Sequence, residues 1–194
     1  MTTALLLIDV QNDFTEGGAL GVDGGAAVAA GIARLLAEHP DRYDVVIASR
    51  DWHDADNDNG GHFHPEPDFV DSWPVHCVAG TAGADYHPHF PADAVDLHVR
   101  KGQGRPAYSI FEGTTDEGGS LHEQLDRLGV TDIEVAGIAT DYCVLASALD
   151  ALEAGRTVTV LTDLVAGVDP ATSAAALERL ASAGARLASS TDAP

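Results

Sequence analysis

Three residues set the chemical question: Asp9, Lys101 and Cys143. Lys101 is the only lysine in 194 residues, where the nine other cations are all arginine. A compact ammonium is a point charge that a planar guanidinium cannot imitate. A cysteine becomes a nucleophile as the thiolate, which a neighbouring cation or a helix N-terminus favours. A carboxylate within reach could take the thiol proton and later return it to a leaving amine. The three types together would serve acyl transfer. Each also has a plainer reading: Cys143 as a small buried hydrophobe, Asp9 as a strand-end cap, Lys101 as a surface charge.

A second group runs through "SRDWHDADNDNGGHFHPEP" and "WPVHC". Asp51 and His53 are two apart and share a side of an extended chain. His62 or His64, and then His76, follow. Such ligands suit a divalent transition metal: Zn, or Fe or Mn with waters completing an octahedron. D-x-H is a short, permissive pattern, and nine histidines in this length also cluster by chance. "DADNDNG" superficially resembles a calcium loop. Counted from Asp54, however, the twelfth position is Pro65, where a bidentate Glu is required.

Both groups need elements that bring them together. "ALLLID" (4–9) is a continuous apolar run, as in a strand buried on both faces. Further strands are expected at 43–49, 94–100, 132–138, 157–163 and 185–189. Helical spacing marks 26–39, 120–129, 141–155 and 169–184, the last opened by Asp169-Pro170 and closed by Gly184. This alternation predicts an α/β fold: a doubly wound, mainly parallel six-stranded sheet with helices on both faces. No linker or repeat divides the chain, so residues 1–194 read as one domain with a long metal-binding loop region at about 51–94. In such sheets the binding crevice lies beyond the carboxyl ends of the strands. The strand ends deliver Asp9, Asp51 with His53, and Arg100 with Lys101, while the fourth strand leads to Cys143. With Thr140 as cap, Cys143 falls about three residues into its helix.

The formal net charge is −21, with 31 acidic residues against 10 basic ones. Such a surface repels nucleic acid and anionic membranes, so neither is an expected partner. Asp outnumbers Glu, which fits a surface adapted to a very salty cytoplasm or an ordinary acidic protein. The N-terminus does not read as a signal peptide, and no apolar run is long enough for a membrane span. Cys77 and Cys143 are expected as thiols in a cytoplasmic protein, monomeric or homo-oligomeric.

The motifs "LLLIDVQNDF" (5–14), "SRDWH" (49–53), "WPVHCVAGTAGADYHP" (73–88), "VRKGQ" (99–103), "AYSIFEG" (107–113) and "VAGIATDYCV" (135–144) occur in that order. Over nearly its whole length the chain thereby resembles the nicotinamidases of the isochorismatase-like cysteine hydrolase family. The D-x-H followed by W-P-x-H-C-V-x-G-T is the specific part. The resemblance implies hydrolysis of nicotinamide to nicotinate and ammonia through a cysteine thioester, in NAD salvage, with pyrazinamide as a second substrate. It implies a catalytic triad of Asp9, Lys101 and Cys143, and metal ligands Asp51, His53, His62 and His76, with His64 open as the alternative to His62. The metal would be one divalent ion, Zn before Fe or Mn. It implies a cis bond between Ile138 and Ala139, an oxyanion hole of the Ala139 and Cys143 N–H groups, and a ring site of Phe14, Trp73, Tyr108 and Ile138. The partner is then the small-molecule substrate. A Lys101→Met variant is expected to fold and hold metal while losing turnover. Cysteine hydrolases of the same fold acting on carbamoyl or ureido substrates, and a non-catalytic metal-binding protein, are the competing readings.

Overall fold

The computed structural model describes residues 1–192, and the elements follow the apolar pattern closely. β1 (Thr2–Ile8), β2 (Val45–Asp51), β3 (Leu97–Lys101), β5 (Val130–Ile138), β6 (Thr157–Ala166) and β7 (Arg186–Ala188) pair in parallel. A seventh strand corrects the expected six: β4 (Thr114–Thr115) adds to β3 antiparallel at one edge. Its two residues carry no periodic signal, and pairing holds it there, supported by the Asp116 N–H donating to the His98 carbonyl at 2.9 Å. The order is β4-β3-β2-β1-β5-β6-β7, which places β1 at the centre.

The central strands read as continuous apolar runs because both their faces are covered. Alternate residues divide between two cores. Leu6, Ile8, Ile47, Val99 and Val135 face α2 (Leu121–Leu128), α3 (Leu145–Glu153) and α4 (Pro170–Ala183). Leu5, Leu7, Val46, Ala48 and Ala136 face α1 (Gly25–Glu38) and the segment around Phe90. Helix ends use local chemistry. Asp169 caps α4 by accepting from Ala171 N and Thr172 N, and Ser120 with Glu123 forms a reciprocal capping box on α2. Gly137 lets β5 lie against β1: at φ +127° it has a conformation that suits glycine, and a Cβ there would sit 2.2 Å from the Ile8 carbonyl oxygen.

Residues 52–96 form the long connection, with only two short 3₁₀ turns (Ala82–Ala84, Ala92–Ala94) and isolated bridges between Gln11 and Tyr86, His53 and Val78, and Phe63 and Trp73. Both cysteines are buried and unpaired. Among the described residues no helix is long and apolar enough to cross a membrane.

Candidate active site

Asp9, Lys101 and Cys143 meet at the carboxyl end of the sheet. β1 and β3 are separated only by β2, and the turn after β5 brings Cys143 over them. The Lys101 Nζ lies 2.9 Å from Asp9 Oδ2 and 3.7 Å from Cys143 Sγ, and 3.4 Å from the Ala107 carbonyl oxygen. It also pairs with Asp51 Oδ1. Asp9 and Lys101 are fully buried, and Cys143 is nearly so. Asp9 stands at φ +48°, a left-handed conformation that a non-glycine residue keeps only where its surroundings enforce it. Those surroundings are Ser49, whose hydroxyl donates to Asp9 Oδ1 at 2.7 Å and accepts from the Asp9 N–H at 3.3 Å.

Burial sets the proton inventory. It raises the Asp9 pKa above the ordinary carboxylate value, against the lowering pull of Lys101. Burial also pushes the Cys143 thiol well up; Lys101 lowers it, but Asp9 and Asp51 raise it further. The resting pair is therefore a neutral thiol beside a carboxylate of increased basicity, as general-base activation requires. Burial alone would lower Lys101, but the Asp51 and Asp9 carboxylates outweigh it and hold the ammonium charged. Cys143 lies in a single π-helical turn, Thr140–Val144, ahead of α3. Ala139 rather than Thr140 is the residue that precedes the first turn, so the expected cap moves back by one. The bond between Ile138 and Ala139 is cis.

The histidines converge beside this group. His53, His62 and His76 are buried, and each offers a ligand atom within 4.8 Å of the others. Asp51 Oδ2 lies 3.5 Å from His53 Nε2 and 3.7 Å from His76 Nε2. His64 is exposed, its Nδ1 2.8 Å from the Glu66 carbonyl, so geometry selects His62. The backbone orients the other rings. His53 Nδ1 lies 2.8 Å from the Gly102 carbonyl and His76 Nδ1 2.8 Å from that of Pro74. These contacts place a hydrogen on each Nδ1 and turn each Nε2 toward Asp51. His53 Nε2 and His62 Nδ1 are buried without a partner. Burial first, then the charges of His53 and His76, lowers His62 to about 4, so it is neutral near pH 7. A divalent cation among these ring nitrogens and the Asp51 carboxylate would give the two orphaned nitrogens a partner, and the residues fit such an ion.

Between the two groups lies a cavity of about 370 Å³, a common size for a small-molecule site. Phe14, Trp73, Tyr108, Ala139, Cys143, Asp51, His62 and His76 line it. Ile138, expected at the ring, does not: its side chain is fully buried in the core under α1, because the residue completes β5. Sequence reasoning did not assign Tyr142, which lines the cavity and meets Trp73 edge-on at 5.0 Å. It also passed over Ser49, which shares a strand face with Asp51, and Gln11. Gln11 is fully buried; its Nε2 donates to the carbonyls of Asp51 and Ala84, both at 2.9 Å, and its Oε1 accepts from Asp51 N at 2.8 Å. A buried glutamine two residues beyond Asp9 at a strand end was the available signal.

The isochorismatase domain model matches residues 3–192. The nicotinamidase/pyrazinamidase of Mycobacterium tuberculosis is 47% identical over 184 residues, 95% of this chain and 97% of the relative. The pyrazinamidase of Pyrococcus horikoshii, solved in complex with zinc, superposes with a TM-score of 0.82 at 36% identity, covering 97% of this chain and 99% of that one. PnC1 from L. infantum, solved in complex with nicotinate, gives 0.84 at 36% identity over 98% and 93%. With the three-histidine cluster, these likenesses assign a divalent metal ion to the site.

Proposed function

The chain belongs to the isochorismatase domain family, and from that premise we propose that it is a nicotinamidase, hydrolysing nicotinamide to nicotinate and ammonia and accepting pyrazinamide. One observation carries the reading: Cys143 lines an aromatic-walled cavity together with His62 and His76, and behind it the buried Lys101 Nζ contacts both Asp9 and the Cys143 sulfur.

Phe14, Trp73 and Tyr108 enclose the pyridine ring, and the Trp73 indole N–H donating to the Tyr108 hydroxyl at 3.1 Å fixes two of these walls. Asp51, His53, His62 and His76 would hold the metal, which we assign as zinc. When bound it would supply Lewis acidity beside the ring site. Asp9 removes the Cys143 proton, and the thiolate attacks the carboxamide carbon. The N–H groups of Ala139 and Cys143 receive the oxyanion. Asp9 returns its proton to the amide nitrogen; the C–N bond breaks, ammonia leaves, and a nicotinoyl thioester remains. Water, deprotonated by Asp9, attacks the thioester, and nicotinate departs as Cys143 recovers its proton. Lys101 stays charged throughout and offsets each negative charge that forms beside it. The reading includes one catalytic domain, a place in NAD salvage and a cytoplasmic setting.

Ammonia release from nicotinamide tests it directly, with wild type, Cys143→Ala and chelator-treated protein side by side. Turnover by the wild type and its loss in both other samples is expected. No turnover by zinc-loaded wild type would overturn the substrate assignment, and carbamoyl and ureido compounds would then be the substrates to try.

A further inference from the structure

The parallel register of β2 and β3 sets two rungs side by side. Asp51 opposes Lys101, and one residue earlier Arg50 opposes Arg100. Alternation sends the second pair to the opposite face of the sheet, away from the catalytic cavity. There the side chains build a stack. The Arg100 guanidinium lies 4.8 Å from the Trp52 ring, and that of Arg50 lies 4.8 Å from the same ring and 4.6 Å from the Tyr86 ring. Tyr86 in turn stacks on Phe90 at 4.4 Å. His98 joins the group, its Nδ1 2.9 Å from the Tyr86 hydroxyl.

Two guanidiniums on one indole repel each other, and a carboxylate between them would be the ordinary remedy. With 31 acidic residues in the chain one would be easy to supply. Yet among the described residues the arginine ion pairs belong to Arg42, Arg127 and Arg156, not to this pair. Asp116, opposite β3 at its β4 edge, accepts instead from the His98 backbone N–H at 3.3 Å. The Arg50 Nε is buried with no acceptor, an uncommon state that calls for a partner. Stacking occupies the faces of the two guanidiniums and orients their donor edges. A planar donor fork held in place matches the oxygens of a phosphate or carboxylate.

We propose that Arg50, Arg100 and Trp52 form a second ligand site, on the face of the sheet opposite the catalytic cavity, that binds an oxyanion of the phosphate class. An anion seated across the Arg50–Arg100 rung clamps the strand ends that carry Asp51 and Lys101 on the next rung.

Calorimetric titration of inorganic phosphate into the zinc-loaded protein tests this, at low ionic strength and with nicotinate saturating the catalytic cavity. One saturable site per chain is expected. Arg100→Gln and Arg50→Gln should each weaken it by about tenfold or more. Arg186→Gln, an exposed arginine on β7, should leave it unchanged. Arg100 is exposed, so its variant keeps the comparison valid even where Arg50→Gln does not fold. No saturable heat from the wild type, or wild-type affinity in Arg100→Gln, overturns the proposal. A nucleoside monophosphate titrated alongside identifies the source: tighter binding than phosphate means that groups beyond the phosphate also contact the site, and equal binding means a free oxyanion.

Discussion

Lys101 is the residue on which both halves of the site depend. Its ammonium touches Asp9 and also Asp51, a proposed metal ligand. Sequence reasoning assigned it to the triad alone, because which carboxylates converge on a buried lysine depends on strand order. The consequence changes the expectation for Lys101→Met. Two buried carboxylates would lose their counter-charge, and breaking a buried pair this way costs about 3–5 kcal/mol. The variant should therefore lose turnover and, without metal, unfold at a clearly lower temperature, with metal restoring part of the lost counter-charge beside Asp51, which thermal melts with and without metal would show. Asp9→Asn should behave differently. Asp9 raises the Cys143 pKa and Lys101 lowers it, so removing the carboxylate leaves the thiolate beside an uncompensated ammonium. Iodoacetamide should alkylate Cys143 of Asp9→Asn at pH 7 at least as fast as in wild type, although hydrolysis falls by about 10²–10⁴-fold with the base gone. Slower alkylation together with lost turnover would mean that Asp9 acts chiefly by holding Lys101 in place.

The elements that carry these residues were largely legible. Long apolar runs located β1, β2, β5 and β6, and caps such as Asp169-Pro170 located α4, because burial on both faces and local hydrogen bonding leave marks within a few residues. The π-helical turn at Cys143 and the two-residue β4 left none, since tertiary pairing makes them. The same holds for the 52–96 connection, whose His53 is oriented by the distant Gly102 carbonyl. Gln11 is the strongest case: from the end of β1 it holds the Asp51 peptide on both sides and the Ala84 carbonyl beyond it. Gln11→Leu should leave these groups unpaired and let Asp51 turn, and a supporting contact of this kind typically affects metal affinity by about 10–100-fold. Cobalt substitution provides the readout, since a disturbed ligand set changes the visible spectrum even where catalysis is not assayed. Gly102 makes a parallel demand. Its φ is +84°, and a Cβ would lie 2.5 Å from His53 Cε1. Gly102→Ala should thus displace the His53 ring and weaken metal binding, while Gly118→Ala, with a similar φ of +85° but nothing within 4 Å of its Cβ, carries comparable backbone strain and should spare it.

At the scale of the whole molecule the dominant quantity is the charge of −21. Fold and catalytic chemistry do not require it, since the buried charges are nearly balanced around Lys101 and the excess lies on the surface. Surface carboxylates repel one another over roughly a Debye length, about 10 Å at 0.1 M salt and about 3 Å at 1 M. The compact state suffers this repulsion more than the expanded chain does. Opposing attractions are few, and the Arg127–Glu117 pair is more than half exposed on both sides, so little is lost when it is screened. Added KCl should therefore raise the unfolding temperature steeply up to a few tenths molar and then level off, as screening saturates. Stabilisation by salt acting on apolar burial has another form, a continued rise through the molar range that is larger for sulfate than for chloride. Melting curves in KCl and in potassium sulfate at matched ionic strength separate the two. Replacing several exposed aspartates by asparagine adds a second arm: if repulsion governs, the low-salt melting temperature rises and the KCl response shrinks in proportion. A melting temperature that stays flat between 0.1 and 2 M KCl would rule out a surface adapted to high salt and leave the acidic composition without a stabilising role.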